Sequence, residues 1–419
     1  MNYSKANVEF KASHDWHNHT AHALLVCAFN KALSVGFFHS FQHHLHIKMK
    51  KRSYSWMDKL STLWASIVVG CNHRVEINDK LGAHEQAAAA LFSLSRFPDQ
   101  SQINRLLWAF KPHNLDEWRR LHLSLLCKHT RAKRRSLWLR LPNRQRLLPI
   151  DIDQRGVVVR GKQFELATKG HFCDRRAKRG YQLSLAFCGG KVGEVIDEYF
   201  DPGKTAARDR VDDLLTSIEI FCQQSGIPPE CILIRGDAQY GTAATIAKIE
   251  ARGFHYLLKG VSPARATKLM KEVGEEVIFW RVENGEQRLP AWMCDMGKVC
   301  HEATGGERGR CEARTLLMVR QEEIVRKKRR RKGEEDAKEE KKRVRKVDYF
   351  LSDLDDEQLG VESVLEVYND RPTIERYFYD EEYSLGARQV RTHSWAGAAM
   401  FQFLVATTNN LLRWMKHTT

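Results

Sequence analysis

The stretch that decides the fold is residues 231–260, which read CILIRGDAQYGTAATIAKIEARGFHYLLKG. The apolar run 231–235 predicts a short strand, residues 242–252 predict a helix, and residues 255–258 predict a second strand. A strand, a helix and a strand of this size form a right-handed crossover in an α/β sheet. The stretch therefore predicts an α/β fold, with Asp237 at the carboxyl end of a strand, where such sheets place their chemistry.

Upstream of this unit, residues 147–159 predict another strand. In it Ile150 and Ile152 alternate with Asp151 and Asp153. Because alternate residues of a strand share a face, the two aspartates lie on one face of the sheet. The other elements predicted in this part of the chain are strands at 181–187 and 192–200 and a helix at 209–223.

The charge of the chain is unevenly distributed. The formal net charge is +16, and residues 1–150 carry +14 of it, whereas residues 151–260 carry +1. A charge that served solubility alone would be spread more evenly. The concentration in the first third predicts a polyanionic partner, most simply nucleic acid, and a basic DNA-binding region built from helices.

Cysteine usage and targeting signals indicate the cellular compartment in which the protein works. Its ten cysteines follow no disulfide framework, and the N-terminus lacks the apolar core of a signal peptide. No apolar run approaches the roughly 18 residues that a membrane span needs. We therefore expect a cytoplasmic protein without a membrane partner.

Two features of the N-terminal region could contact DNA. Residues 84–111 predict two helices separated at Arg96 to Pro98, with Asp99 or Ser101 as the cap of the second; this spacing fits a helix-turn-helix as well as ordinary helical packing. A dense basic stretch with Trp138 inside it suits phosphate contacts, the alternative being a solvated helix face. The candidate phosphate-binding residues in it are Arg131, Lys133, Arg134, Arg135, Arg140, Arg144 and Arg146.

Four acids stand where a catalytic site would need them. Asp151 and Asp153 alternate along a predicted strand, Asp237 ends another, and Glu375 falls in a C-terminal helix. Carboxylates gathered from strand ends and a helix suit Mg²⁺, which is a hard cation that prefers oxygen ligands. Two such ions can activate the attacking oxygen and stabilise the leaving oxygen of an in-line phosphoryl transfer.

Residues 368–375, Tyr-Asn-Asp-Arg-Pro-Thr-Ile-Glu, carry a family resemblance. They are similar to the Tyr-x2-Arg-x3-Glu signature of a large group of bacterial insertion-sequence transposases, which are DDE-type enzymes with a ribonuclease-H-like catalytic fold. Residues 150–163 and 233–260 resemble the segments that hold the first two catalytic aspartates of the group, and residues 392–415 resemble its closing helix.

The resemblance implies a set of metal ligands. Asp153, Asp237 and Glu375 would be the three catalytic carboxylates and would hold two Mg²⁺ (or Mn²⁺) ions in each active site. Asp151 stays open as the alternative to Asp153, because the same strand face carries both.

The resemblance also implies that Tyr368 and Arg371 contact phosphates near the cleaved DNA end. On a helix, offsets of three and seven residues place Tyr368, Arg371 and Glu375 on one stripe. Pro372 departs from this pattern, because proline cannot donate a backbone hydrogen bond, so we expect the helix to start or kink there.

Two further positions depart from the pattern of the group. The group usually has Ser or Thr two residues after its first aspartate, where this chain has Arg155. It commonly has Lys seven residues after its glutamate, where this chain has Glu382. The second departure would mean either a lost phosphate contact or a shifted register.

The predicted organisation has four parts. Residues 1–146 form the helical basic region, and residues 147–260 the first part of the catalytic core. Residues 261–348 form a β-rich insertion, in which the charge run 326–346 is expected to be a solvated loop. Residues 349–419 complete the core with C-terminal helices, of which the last, over 398–415, is expected to be amphipathic. The predicted fold class is thus α/β, a ribonuclease-H-like mixed sheet flanked by helices, with an insertion and an all-helical N-terminal region.

The insertion offers two tryptophans and one cysteine-rich group. Trp280 and Trp292 could stack on an unpaired base, but packing of the insertion's small core is the simpler explanation. Cys294, Cys300, Cys311 and His301 match no common zinc spacing, so we do not expect a zinc site.

Together with these features, the resemblance implies a DNA transposase that is associated with the bacterial nucleoid. It would catalyse Mg²⁺-dependent cleavage at transposon ends and strand transfer into target DNA, by a cut-and-paste route, and would act at least as a dimer on double-stranded DNA. The alternative is a catalytically inactive, transposase-derived DNA-binding protein or repressor. The Tyr-Arg-Glu signature and the long insertion argue against a different ribonuclease-H-like nuclease. An RNA-binding scaffold is disfavoured because the sequence shows no RNA-recognition module.

Overall fold

The computed structural model divides the chain into two compact units. Unit 1 comprises Met1–Arg134, Asp153–Ile227 and Thr373–Thr419, and unit 2 comprises Arg135–Ile152 and Pro228–Pro372. The structure describes residues 20–50, 53–170, 172, 178–274, 277, 279–282, 291–302, 310–327, 339–387 and 390–416, without the side chains of 321–343 and 372.

The N-terminal part of unit 1 is helical. Aromatic side chains hold the helices together: the fully buried Trp64 contacts the rings of Phe37, Phe38 and Phe92. Such ring contacts bury large apolar areas and therefore dominate the stability of a small helical core. The helices are α1 (Ala23–Ser34), α2 (Phe37–His44), α3 (Trp56–Val68), α4 (Glu76–Lys80), α5 (Gln86–Leu91), α6 (Gln100–Ala109) and α7 (Pro112–His129).

The helix start predicted near residue 100 is confirmed. The side chain of Asp99 caps α6 by accepting hydrogen bonds from the backbone N–H groups of Ser101 and Gln102. The buried face of α6, with Ile103, packs against α3 and other helices of unit 1. This face is part of the core of unit 1.

The closing helix differs from its prediction. It forms as α13 (Trp395–Met415), but 17 of its 21 residues are buried, so the expected amphipathic pattern is wrong. Helices α1, α3, α6 and α7 all pack around it. Because neighbours surround α13 on several sides, even polar residues such as Asn410 are buried and bond to the backbone of unit 1.

Unit 1 also contains antiparallel strands. They are β3 (Thr168–Lys169), β4 (Arg179–Cys188) and β5 (Glu194–Pro202), together with the second half of β2 (Arg146–Val159), which lies beside β4. They are followed by α8 (Val211–Ser225). Both strands predicted at 181–187 and 192–200 and the helix predicted at 209–223 are confirmed within a few residues.

Unit 2 contains the strand–helix–strand unit that residues 231–260 predict. Strand β6 (Ile232–Gly241), α9 (Ala243–Glu250) and β7 (His255–Gly260) form the predicted crossover with parallel strands. The first half of β2 adds to β6 in parallel, and β1 (Leu139–Arg140) adds to β2. The predicted α/β architecture is therefore confirmed, and it is compatible with a ribonuclease-H-like fold.

The rest of unit 2 is an antiparallel extension of the same sheet. Its strands are β8 (Trp280–Val282), β9 (Ala291–Glu302), β10 (Arg310–Lys327) and β11 (Glu339–Ser352), in the order β7-β11-β10-β9-β8. The sheet of unit 2 is thus mixed. Its buried face includes Met293, Leu316 and Phe350.

The sequence predicts a loop over the charge run 326–346. In the structure, both described ends of this run are strands instead. Strand β10 continues to Lys327 and β11 begins at Glu339, with Lys327 opposite Glu339 and Arg326 opposite Glu340. The two strands thus extend into both ends of the charge run. Residues 328–338 lie outside the described part of the chain.

Three more helices complete the described elements. They are α10 (Pro263–Glu272), α11 (Val364–Asn369) and α12 (Pro372–Tyr383). The helix break expected at Pro372 is confirmed, since α11 ends at Asn369 and α12 starts with the proline. Proline suits a first helical position, because the N–H that it lacks would have no partner in the helix.

The length and apolar composition of the described helices bear on whether they could span a membrane. None of them alone has the length and apolar composition of a membrane span. The pair α1 and α2, which is bent by 61°, passes the same test of length and composition when taken together.

Candidate active site

Asp151 is committed to a buried ion pair. Its Oδ1 lies 2.7 Å from Nε of Arg235 and its Oδ2 lies 3.0 Å from Nη2, and both side chains are fully buried. The two residues face each other in the register of β2 and β6, and Nη1 of Arg235 also donates to the carbonyl of Val367 at 2.6 Å. Burial raises the pKa of Asp151, and the Arg235 guanidinium opposes that shift. Because both carboxylate oxygens bond to Arg235, Asp151 serves the fold of unit 2.

Asp153, two residues further along β2, has a different environment. Its side chain is half-buried, and its Oδ1 accepts the backbone N–H of Gln154 at 2.8 Å. The Gln154 amide in turn donates to Oγ of Ser184 at 2.9 Å, which anchors this part of β2 to β4 within unit 1. Of the two candidates for the first carboxylate, Asp153 is the one that reaches the surface.

Asp237 lies inside β6 rather than at its end. It follows Gly236, the last residue before a shift in the register with β7, so it sits where regular pairing is interrupted. Its side chain is half-buried, and Oδ1 accepts the N–H of Gln239 at 2.9 Å. Within the described part of the chain, no Lys, Arg or His forms an ion pair with it.

Tyr368 and Arg371 lie next to the strand that holds Asp237. The hydroxyl of Tyr368 donates to the carbonyl of Gly236 at 3.4 Å, and its ring packs edge-on against Phe350. Nη1 of Arg371 donates to the Tyr368 hydroxyl at 3.4 Å. Unit 2 therefore brings together three of the residues that the sequence singled out.

Glu375 lies in the first turn of α12 and is exposed. A carboxylate is favoured there, because the N-terminus of a helix carries a partial positive charge. Among the described residues, none forms a hydrogen bond or an ion pair with its side chain. Glu375 and Asp153 both belong to unit 1, whereas Asp237 belongs to unit 2.

The seven cations of the basic stretch differ in exposure. Arg131 is buried, and its Nη1 donates to the carbonyl of Val192 at 2.9 Å, while its backbone N–H donates to Glu194. Arg131 therefore stabilises unit 1 and has little surface to offer DNA. The exposed members of the stretch are Lys133, Arg134, Arg135, Arg140, Arg144 and Arg146.

The two tryptophans of the insertion project from opposite faces of the sheet. Trp280 faces Met293 in the register of β8 and β9, and Trp292 precedes Met293, so it points to the other side. Trp280 is 52% exposed, whereas the core of the insertion is made by residues such as Met293 and Leu316. Core packing therefore does not explain Trp280, and the two rings cannot enclose one base between them.

Three of the candidate acids have the chemistry of ligands for a divalent cation. Asp153, Asp237 and Glu375 offer the carboxylate oxygens that Mg²⁺ prefers. Within the described ranges, no three His, Cys, Asp or Glu side chains are grouped closely enough to hold a metal ion. This holds for Cys300 and His301 as well, and Nε2 of His301 instead lies 2.8 Å from Oγ1 of Thr315. The donor chemistry suits Mg²⁺, and the joint use of the three acids belongs to the proposed function.

Reasoning from the sequence missed two sets of contacts. It did not find Arg235 as the partner of Asp151, although an arginine inside an apolar strand beside a buried aspartate is a usable signal. It noted Arg155 and Glu382 as separate departures but not that they contact each other. Their opposite charges were the available signal.

Comparison with known proteins bears on this arrangement. The family described as "Transposase DDE domain" matches residues 145–411, which is more than half of the chain and includes Asp153, Asp237 and Glu375. No curated protein matches the chain. The chain therefore belongs to the family of transposases with a DDE domain.

Proposed function

We propose that this transposase uses Asp153, Asp237 and Glu375 to bind two Mg²⁺ ions, cuts DNA at the ends of a mobile element, and joins those ends to target DNA. The observation that carries the assignment of residues is the contrast among the four candidate acids. Asp151 is paired with Arg235, whereas Asp237 and Glu375 have no basic partner among the described residues.

The neighbours of Asp237 support a role in holding DNA. Tyr368 and Arg371, which complete the signature with Glu375, would contact phosphates at the cleaved end. The hydroxyl of Tyr368 donates a hydrogen bond to the carbonyl of Gly236, which is the residue directly before Asp237. A phosphate bound by Arg371 and Tyr368 would therefore lie close to the second carboxylate.

The chemistry proceeds by two displacements at phosphorus. In the first, water attacks the phosphodiester at the element end, the P–O3′ bond breaks, and a 3′-hydroxyl is released. In the second, this hydroxyl attacks a phosphodiester of target DNA, so that one P–O bond forms as another breaks. Mg²⁺ ions held by the three carboxylates would activate the attacking oxygen and stabilise the leaving oxygen. The protein positions the groups through its carboxylates and Arg371 and forms no covalent intermediate.

DNA affinity would come from the basic N-terminal third. Its exposed cations, which include Lys133, Arg134 and Arg135, suit the phosphate backbone without reading sequence. Because cut-and-paste movement joins two element ends, we propose that the protein works at least as a dimer on DNA. Trp280, half exposed on β8, is the candidate for stacking on an unpaired base.

The central test replaces the third carboxylate. We expect Glu375→Gln to abolish Mg²⁺-dependent nicking of a plasmid that carries the gene with its flanking DNA, while binding of the same DNA in a gel-shift assay is retained. Removing a metal ligand acts on catalysis, whereas DNA affinity depends on the basic surface. Glu366→Gln, at an exposed glutamate of the neighbouring helix α11, is the matched control and should leave nicking unchanged.

The same assay separates the alternative function. A catalytically inactive DNA-binding protein or repressor would bind the flanking DNA and show no nicking in the unaltered chain. Full nicking by the Glu375→Gln variant would contradict the assigned site.

A further inference from the structure

Arg155 connects two elements of unit 1. It lies on β2, and its guanidinium donates to two carboxylates of α12, with Nη2 2.7 Å from Oε2 of Glu381 and Nη1 2.5 Å from Oε1 of Glu382. The side chain of Arg155 is 13% exposed, and that of Glu381 is fully buried. Charge-assisted contacts from both prongs of a guanidinium fix distance and angle together.

The contact joins the two positions at which the chain departs from the signature it resembles. Arg155 stands where Ser or Thr is usual, and Glu382 stands where Lys is usual. A cation at the first position is matched by an anion at the second, and the structure brings them together. The two departures together therefore form an ion pair where the signature has a neutral side chain and a cation.

Both ends of the contact lie at fixed spacings from proposed metal ligands. Arg155 follows Asp153 by two residues, so the two side chains share a face of β2 and lie about 7 Å apart along it. Glu382 follows Glu375 by seven residues, two turns of α12, so the two lie on one stripe about 10 Å apart. A contact between residues 155 and 382 thus constrains how β2 presents Asp153 and how α12 presents Glu375.

The surroundings of Arg155 make it difficult to replace. Glu198 of β5 is buried near the guanidinium, and among the described atoms neither of its carboxylate oxygens has a hydrogen-bond partner. Oε1 of Glu381 and the hydroxyl of Tyr377 are also buried and have no hydrogen-bond partner among the described atoms. Arg155 thus faces three carboxylates, and without it buried acids would repel one another and push α12 away from β2.

We propose that Arg155, through Glu381 and Glu382, is a positioning residue that holds Asp153 and Glu375 in the relative placement needed to bind the catalytic cation. This inference rests on the proposed function, because it presumes that those two acids are metal ligands. It adds residues that the family signature does not contain.

The test measures cation binding directly as well as activity. For the protein bound to its flanking DNA, Mn²⁺ affinity is measured by titration calorimetry, and the Mg²⁺ concentration for half-maximal nicking is measured separately. We expect Glu382→Gln and Arg155→Lys to weaken both by about 10-fold or more, as losses of groups that orient metal ligands do.

A matched ion pair elsewhere in unit 1 controls for stability. Asp201 of β5 is buried, and its Oδ1 lies 2.6 Å from Nη2 of Arg210. Asp201→Asn should lower the unfolding temperature without changing Mn²⁺ affinity. If Glu382→Gln behaves like Asp201→Asn, with lower stability but unchanged cation dependence, Arg155 is merely structural and the inference is overturned.

Two outcomes distinguish this inference from the proposed function. Should Arg155→Lys fail to fold, Glu382→Gln decides, because Glu382 is one-third exposed and its loss disturbs the core less. Normal nicking by the Glu375→Gln variant would contradict the proposed function itself. Unchanged Mn²⁺ affinity in Glu382→Gln, with Glu375→Gln inactive, would remove only the role of Arg155.

Discussion

Asp151 and Asp153 show how neighbouring identical residues acquire different roles. They share a strand face and differ by two positions, yet one is fully buried and the other half-exposed. The difference arises from Arg235 on the adjacent strand, whose guanidinium bonds to both oxygens of Asp151. A carboxylate so engaged stabilises the sheet, whereas the half-exposed carboxylate of Asp153 lies nearer the surface.

Replacing each aspartate by asparagine should separate these roles. Asp151→Asn leaves the buried Arg235 without a charged partner, and we expect the free energy of unfolding to fall by about 3–5 kcal/mol. Asp153→Asn should leave stability within about 1 kcal/mol of the unaltered protein and abolish nicking, because it removes a proposed metal ligand. Urea unfolding and plasmid nicking measure the two effects. A stable, inactive Asp151→Asn beside an active Asp153→Asn would reverse the assignment.

At the scale of elements, the interruption in β6 positions Asp237, the proposed second carboxylate. Regular pairing between β6 and β7 stops at Gly236 and resumes at Gly241, which faces Gly260. Asp237 lies between these two glycines, where the register with β7 shifts. The regular alternation of side chains between the two faces of the sheet therefore need not hold at Asp237. The return to pairing requires a close approach of backbones: a Cβ on Gly241 would lie 1.8 Å from the carbonyl oxygen of Lys259.

We expect Gly241→Ala to destabilise unit 2 by about 2 kcal/mol or more, because backbone atoms cannot move aside as a flexible side chain can. Nicking should fall as well, since Asp237 depends on the same interruption. Gly274→Ala is the control, because a Cβ at Gly274 meets no atom within 4 Å. Thermal unfolding and nicking of both variants check the expectation, and equal stability of the two would contradict it.

For the whole molecule, buried acids make stability depend on pH. Burial raises the pKa of Glu381 to about 7, and Arg155 opposes the shift. Burial, with the nearby carboxylates of Glu381 and Asp197, raises the pKa of Glu198 well above its ordinary value. Burial lowers the pKa of His122, so that histidine costs stability only at acidic pH.

The sign of the pH effect follows from these shifts. A carboxyl whose pKa is higher in the folded than in the unfolded state adds stability at low pH, and that stability is lost as pH rises through the folded value. We therefore expect Glu381 to lower the urea midpoint as pH rises from its unfolded pKa of about 4.3 to its folded pKa of about 7, while His122 opposes this fall below about pH 6.5. Glu381→Gln should flatten this dependence, and an unchanged slope would show that Glu381 does not titrate there.

The sequence alone determined the elements, because local signals suffice for them. The apolar runs of β2, β6 and β7, the cap at Asp99 and the break at Pro372 all depend on nearby residues. The family signature and the concentration of charge in residues 1–150 were likewise readable without a structure. The burial of α13 was not, because periodicity cannot show how many neighbours surround a helix.

Tertiary structure decided which polar groups are committed to partners. The pairing of Asp151 with Arg235, and of Arg155 with Glu381 and Glu382, joins residues more than 80 positions apart in the chain. Burial and pairing of charge arise from strands and helices brought together, and no local pattern encodes them. Sequence therefore indicated which acids could carry the chemistry, and the packing of β2 against β6 showed which one the fold itself uses.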